Sequence, residues 1–307
     1  MLQSSRRFVR QVPALIGLSL LCASCGGGSD GQQGGQQRAS PSAYAQLMDP
    51  LSPGPLVAAH RGAHKNFPEN SLAAIREAAR LGAAFAEVDV RHTRDGVLVL
   101  MHDSNAMRTT GVNMEVDAMT YAQVRGLTLS GDSAANPETM NVPTFAEALD
   151  LARVTGIMLY VDVKTDRDDL VVSTVQAGPY YDVALLRDTL DQVLKEQARD
   201  SRLLFMPPVG SIDEFNAARA AVPGLRIVEC DEDAPDPQLC AAIRAAGVKV
   251  QQDVLALGDI FAVLSGDYSG WAQFVSAGVW LLQTDQPEML VPAVRKYRET
   301  GVFPSGK

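Results

Sequence analysis

From Leu56 onward the chain alternates short apolar, β-prone runs with longer stretches of helical periodicity, and this alternation restricts the fold more than any other feature. Strands separated by helices pair in parallel through crossovers, not as hairpins. Candidate strands are LVAAH (56–60), AEVDV (86–90), VLVLMH (97–102), GIMLYVDV (156–163), RLLFM (202–206), LRIVE (225–229), VKVQQ (248–252) and VWLLQ (279–283). Helical patterns lie between most of them, as in NSLAAIREAARLG (70–82), ALLRDTLDQVLKEQ (184–197) and DPQLCAAIRAAG (236–247), and residues 253–278 read as helical throughout. Eight candidates over this length fit one (β/α)8 TIM barrel of the α/β class. The alternative is an open doubly wound sheet, but no Gly-rich fingerprint follows an early strand. Polar residues 103–145 break the rhythm and read as a small excursion inserted after the third candidate strand.

The N-terminus has another character. Arg6, Arg7 and Arg10 precede an apolar run from Val12 to Ala23 and small residues before Cys25, the three zones of a secretory signal. The run is too short to span a bilayer, which takes about 20 residues. Ala23-Ser24-Cys25 resembles a bacterial lipobox, which implies removal of residues 1–24 and lipidation of Cys25. Residues 26–41 are nearly devoid of apolar side chains, so 25–50 is expected to be a lipidated, flexible tether and 51–307 the barrel domain. The expected location is outside the cytoplasm, as a periplasmic or cell-surface lipoprotein held by its anchor, with the outer membrane as the default for a Gram-negative source. Twenty-seven Lys and Arg against 36 Asp and Glu give a net charge of −9, which offers no footprint for a nucleic-acid backbone. In an oxidising compartment Cys230 and Cys240 are either a disulfide or two buried thiols; no histidine lies near them to suggest zinc.

Active sites of β/α barrels gather at the C-terminal ends of the strands, so the polar residues there should converge. Those ends supply His60-Arg61, Glu87 with Asp89, His102-Asp103, Asp162 with Lys164, and Thr284-Asp285. Glu87 and Asp89 are two apart, so on a strand they share a face. Inside a barrel two carboxylates need a compensating cation. Asp162 and Lys164 repeat the spacing on another apolar strand. Three hard oxygen ligands favour one divalent cation, Mg2+ or Ca2+, over zinc. Such a site suits cleavage of a phosphate ester, with Arg61 and Lys164 on the phosphoryl oxygens and the two imidazoles exchanging protons with nucleophile and leaving group. The remaining histidines, His64 and His92, read as surface residues.

The runs AHRGAHKNFPENSLAAI (59–75), EVDVRHTRDGVLVLMHD (87–103), RTTG (108–111), VPTFAEAL (142–149), DVK (162–164) and TDQP (284–287), in that order, resemble the glycerophosphodiester phosphodiesterase family. The resemblance implies a β/α barrel that uses one divalent cation to release sn-glycerol 3-phosphate and an alcohol from a small glycerophosphodiester. It implies His60 and His102 as the acid/base pair, Glu87, Asp89 and Asp162 as metal ligands, and Arg61 and Lys164 as phosphate contacts. Glu69, in the PEN run, resembles an additional acidic site residue. Asp162 stands where family members usually carry Glu, a form similar to the sphingomyelinase D-like phospholipases; the RTT-containing excursion, which those enzymes lack, favours the first family. Two rivals are therefore a phospholipase D-like hydrolase of lysophospholipids or sphingomyelin and a non-catalytic barrel lipoprotein.

Overall fold

A computed structural model of the chain describes residues 42–130, 140–230 and 234–307. The signal segment, Cys25 and most of the expected tether lie outside the described residues. In chain order the helices are α1 (Ala43–Met48), α2 (Leu72–Leu81), α3 (Met107–Thr110), α4 (Tyr121–Arg125), α5 (Phe145–Thr155), α6 (Asp168–Ala177), α7 (Leu190–Gln197), α8 (Ile212–Ala221), α9 (Pro237–Ala245), α10 (Ile260–Ser265), α11 (Ser269–Ala277) and α12 (Pro287–Thr300). The strands are β1 (Leu56–Ala59), β2 (Phe85–His92), β3 (Leu98–Leu100), β4 (Met158–Val163), β5 (Ala184–Arg187), β6 (Phe205–Met206), β7 (Pro208–Val209), β8 (Ile227–Cys230), β9 (Lys249–Asp253) and β10 (Leu281–Thr284).

The parallel strands run in the order β6-β5-β4-β2-β1-β10-β9-β8-β7. Only Pro207 separates β6 from β7, and β6 pairs with β5 while β7 pairs with β8, so the sheet rolls into a nearly closed barrel. Counting β6 and β7 as one interrupted strand, the barrel has eight strands, as expected.

Two corrections cancel in that count. Residues 98–100 are not a barrel strand: β3 folds back antiparallel on β2, with Val90 opposite Leu100 and His92 opposite Leu98. The tight Thr93–Val97 turn, in which the Thr93 amide donates to the Val97 carbonyl, leaves no room for the helix a parallel crossover requires. Residues 184–187, expected in a helix, are instead the barrel strand β5. Ala and Leu favour helix intrinsically, but burial of Ala184, Leu185 and Leu186 beside β4 overrides that weak preference, and Thr189 caps α7 only afterwards. A third difference concerns residues 43–48, expected in the tether, which form α1 behind the Ser42 cap.

Alternation along the strands makes two apolar layers. Outward residues such as Val57, Val88, Val161 and Leu282 pack against the helices. Inward residues Leu56, Ala58, Phe85, Met158, Leu185, Met206, Ile227 and Leu281 fill the barrel, joined by Ala43 and Leu47 of α1. The segment after α1 is tied to the same end: Lys249 Nζ donates to the Asp49 carbonyl at 2.6 Å and Trp280 Nε1 to that of Ser52 at 3.2 Å. The excursion has a satellite core of its own, built from Val99, Met101, Ala106, Val116, Met119, Val124, Leu129 and Val142. Cys230 and Cys240 are buried and free, which selects the thiol alternative.

Candidate active site

At the C-terminal ends of the strands the inward-facing residues turn from apolar to ionisable. Glu87 and Asp89 on β2 and Asp162 on β4 each offer a carboxylate oxygen within 4.8 Å of the others. Parallel pairing puts Asp89 directly beside Asp162, and the i, i+2 spacing aims Glu87 inward too. Glu87 and Asp89 are 2% and 1% exposed. Burial, and then the charge of Asp89, push the Glu87 carboxyl well above its ordinary value. Three hard oxygen donors, one of them pushed toward its neutral form by burial and a neighbouring carboxylate, fit a divalent cation, whose charge removes that conflict.

Two cations already approach the set. Lys164 Nζ donates to Asp162 Oδ2 at 2.7 Å and lies 3.4 Å from Asp89 Oδ1. Arg61 sits in a tight left-handed turn, with φ of +52° followed by Gly62 at +78°. A Cβ on Gly62 would come within 2.8 Å of the Ala74 side chain, so the turn lies directly on α2. The turn aims the Arg61 amide at Glu87 Oε2, 2.7 Å away. Arg61 Nε, by contrast, is buried with no hydrogen-bond acceptor, 3.7 Å from Asp89 Oδ2. An orphaned guanidinium N–H beside a carboxylate triad is costly unless an anionic oxygen completes it.

Each expected catalytic histidine has a carboxylate behind it. His60 Nδ1 donates to Asp285 Oδ1 at 2.7 Å, and its Nε2 lies 3.9 Å from Glu87 Oε2. His102 Nδ1 donates to Asp103 Oδ1 at 2.6 Å. A carboxylate only accepts, so in both rings Nδ1 carries the proton and Nε2 is left for chemistry. Burial raises the Asp285 carboxyl, but the hydrogen bond and charge of His60, with His64 and Arg61, hold it below its ordinary value. Asp103 is held well below the carboxylate range, chiefly by Arg108. Under Asp285, the buried Asp259 accepts from Trp271 Nε1, Thr284 Oγ1 and the Asp285 amide; burial pushes its carboxyl up to about 6.

The structure therefore brings Glu87, Asp89, Asp162, Arg61, Lys164 and His60 together. His102 sits on the loop after β3, and its link to the others is indirect. Arg91 clasps the His102 carbonyl through Nε (2.9 Å) and Nη2 (2.7 Å) while its Nη1 holds that of Lys164 at 3.0 Å. Glu69 lies beside Arg61, accepting from its Nη1 at 3.2 Å.

Several residues of the site went unassigned in the sequence. Asn70 exchanges two hydrogen bonds with Asp89, its Nδ2 donating at 2.7 Å and its Oδ1 accepting from the Asp89 amide at 3.0 Å. Its place in the PEN run was the available signal. Arg187, at the end of β5, donates to Glu229 Oε2 at 2.6 Å and reaches within 3.7 Å of Asp162; no signal marked it once its strand was taken as helix. His64, expected on the surface, is half-buried, its Nδ1 donating to the His60 carbonyl at 2.9 Å and its Nε2 lying 3.6 Å from Asp285. Likewise His92 is half-buried, its Nδ1 2.6 Å from Thr165 Oγ1.

Residues 60–260 match the model of the Glycerophosphoryl diester phosphodiesterase family, and this stretch includes every residue of the triad and both histidines. The chain belongs to that family. Glycerophosphodiester phosphodiesterase 1 of Rattus norvegicus is 40% identical over 116 residues, which cover 36% of this chain and 34% of that protein. A glycerophosphodiester phosphodiesterase of Caldanaerobacter subterraneus is 34% identical over 110 residues, covering 36% and 45%. The chain thus matches less than half the length of these curated relatives. Among solved structures, a glycerophosphoryl diester phosphodiesterase from Parabacteroides distasonis superposes with a TM-score of 0.72 at 19% identity, covering 83% of this chain and 92% of its own. An Oleispira antarctica phosphodiesterase, solved with the product sn-glycerol-3-phosphate, gives 0.67 at 21% identity, covering 83% and 100%. At these identities the likeness establishes the barrel fold.

Proposed function

We propose that this member of the glycerophosphodiesterase family hydrolyses small glycerophosphodiesters to sn-glycerol 3-phosphate and an alcohol. The observation that carries the reading is the buried Arg61 Nε with no acceptor, set against the carboxylate triad. An anionic phosphoryl oxygen beside the triad is the kind of partner this guanidinium lacks. Glu87, Asp89 and Asp162 hold one divalent cation, Mg2+ or Ca2+, which when bound supplies positive charge to the phosphoryl oxygens. Lys164, already raised above its ordinary value by Asp162 and Asp89 despite partial burial, stays charged and with Arg61 binds the same anion. His60 and His102, oriented by Asp285 and Asp103, divide the proton work: one takes the proton of the attacking oxygen and the other donates to the leaving alcohol. Incubating the protein with glycerophosphocholine and either cation should release glycerol 3-phosphate. Absence of product with both cations, across glycerophosphodiester headgroups, would falsify the reading.

A second substrate class has support of its own. α10, which follows β9 at the same end of the barrel as the triad, exposes Ile260, Phe261, Val263 and Leu264, and the excursion exposes Met107 and Met114. Apolar side chains near the mouth suit hydrolysis of lysophospholipids from micelles. Faster turnover of micellar lysophosphatidylcholine than of glycerophosphocholine would make this the principal activity. A non-catalytic role has no such support, because no member of the expected set is missing. Export and anchoring through Cys25 belong to the same proposal; among the described residues no helix is long and apolar enough to cross a membrane. Persistence of Cys25→Ser in the membrane fraction would exclude the lipid anchor.

A further inference from the structure

Arg108 belongs to the RTTG run of the excursion, and its guanidinium is spent on two carboxylates from different parts of the chain. Nε donates to Asp103 Oδ2 at 2.6 Å and Nη2 to Asp103 Oδ1 at 3.2 Å. Nη1 and Nη2 donate to the two oxygens of Glu69, each at 2.7 Å. Asp103 is the carboxylate that holds His102 Nδ1, and Glu69 is pinned from its other side by Arg61. One planar fork therefore joins the orienter of His102 to the loop that carries Arg61 and His60.

We propose that Arg108 is a positioning residue that acts through Asp103 to fix the His102 ring, with Glu69 as its fixed anchor. The assignment rests on the catalytic reading of His102 given above. His102 stands on a loop and not on a barrel strand, so the barrel walls do not set its orientation. Its other support, Arg91, grips only the backbone carbonyl and leaves the ring free to turn about χ1 and χ2. The Asp103 carboxylate is the group that holds the ring, and Arg108 grips both oxygens of that carboxylate. Arg108 is itself 45% exposed in its side chain, so its pairs, though two-pronged, add at most a modest stability. Loss of the clamp should therefore be read chiefly in turnover per folded molecule. The conservative Lys keeps the charge but cannot engage both carboxylates in two-pronged fashion.

The test uses the full chain loaded with Mg2+ or Ca2+ and glycerophosphocholine as substrate. Turnover, KM and melting temperature are measured for Arg108→Gln, Arg108→Lys, Asp103→Asn, the double variant Arg108→Gln/Asp103→Asn and His102→Ala. Arg108→Gln should lower kcat about 10- to 100-fold with KM changed less than about threefold, the scale of losing an orienting partner. Arg108→Lys should recover part of the loss. The double variant should fall within about threefold of Asp103→Asn alone, because the two substitutions remove one device. Fully multiplicative losses would overturn the inference, as would wild-type turnover in Arg108→Gln while His102→Ala is inactive. Full turnover in His102→Ala would instead overturn the catalytic reading on which it rests.

Discussion

The two ends of the barrel are made from the same strands, a few residues apart, and they obey opposite rules. On β2, Phe85 is fully buried among Met158, Leu185 and Leu281, and two and four residues later the same face carries Glu87 and Asp89. On β4 the series is Met158, Tyr160, Asp162; on β8, Ile227 then Glu229; on β10, Leu281 and Gln283, with Asp285 just past its end. The N-terminal end is sealed by α1 and is largely apolar, with its buried Lys249 satisfied by the Asp49 carbonyl. At the C-terminal end carboxylates are buried against one another and a guanidinium N–H has no acceptor. Local rules broken at one end of an otherwise consistent barrel are the physical signature of a site that needs a ligand to be complete.

Substitutions at the two ends should therefore separate activity from stability. The largest effect is expected for His60→Ala, which should lower kcat about 10³-fold with little change in melting temperature, measured by glycerol 3-phosphate release and calorimetry. At the sealed end Phe85→Ala should do the reverse, costing about 3–5 kcal/mol of stability while kcat per folded molecule stays within about twofold. Similar losses of turnover in both variants would erase the distinction between the ends. A divalent cation at 100 times its dissociation constant should stabilise the protein by about 2.7 kcal/mol. That gain should disappear in Asp89→Asn, read as the loss of the thermal shift.

The smallest effect concerns Asp188, which burial and the neighbouring Asp168 push up to about 7. The folded state then holds a proton that the unfolded chain has released, so its contribution is complete below the ordinary carboxylate range and is lost as pH rises through about 7. Asp188→Asn should accordingly raise the melting temperature at pH 8, by about 2 °C after discounting for its solvent exposure, and by progressively less as the pH falls, with no difference left at about pH 3. An equal shift at both pH values would show that the carboxyl is not the cause.

The triad was legible in the sequence because its physics is local. Ionisable residues two apart in an apolar strand, once as Glu87 and Asp89 and again as Asp162 and Lys164, admit few explanations, and His60-Arg61 at the end of the first strand adds the rest. The barrel was legible for a weaker reason. β3 was counted and β5 was not, since a period-2 pattern does not say which way a strand runs, and Ala184-Leu185-Leu186 reads as helix until β4 and β6 bury it. What could not be read were contacts made across the fold. Asn70 meets Asp89 over 19 residues, Arg108 meets Glu69 over 39, and Arg187 meets Glu229 over 42. In each case the residue type is ordinary, and the long-range closure gives it a role.

Pro207, followed at once by Pro208, leaves one strand of the ring without two consecutive N–H donors, and the two-residue pieces around it each bond to a single neighbour. Counting round the ring from this break, β1 with His60 is the farthest strand in either direction. The barrel is in effect a rolled sheet with its seam diametrically opposite the strand that carries His60 at its end. Opening there would admit water and expose edges while leaving the register of β1, β2 and β4 intact. The seam is thus the natural place to cut the chain for a circular permutant that keeps the charged cup whole.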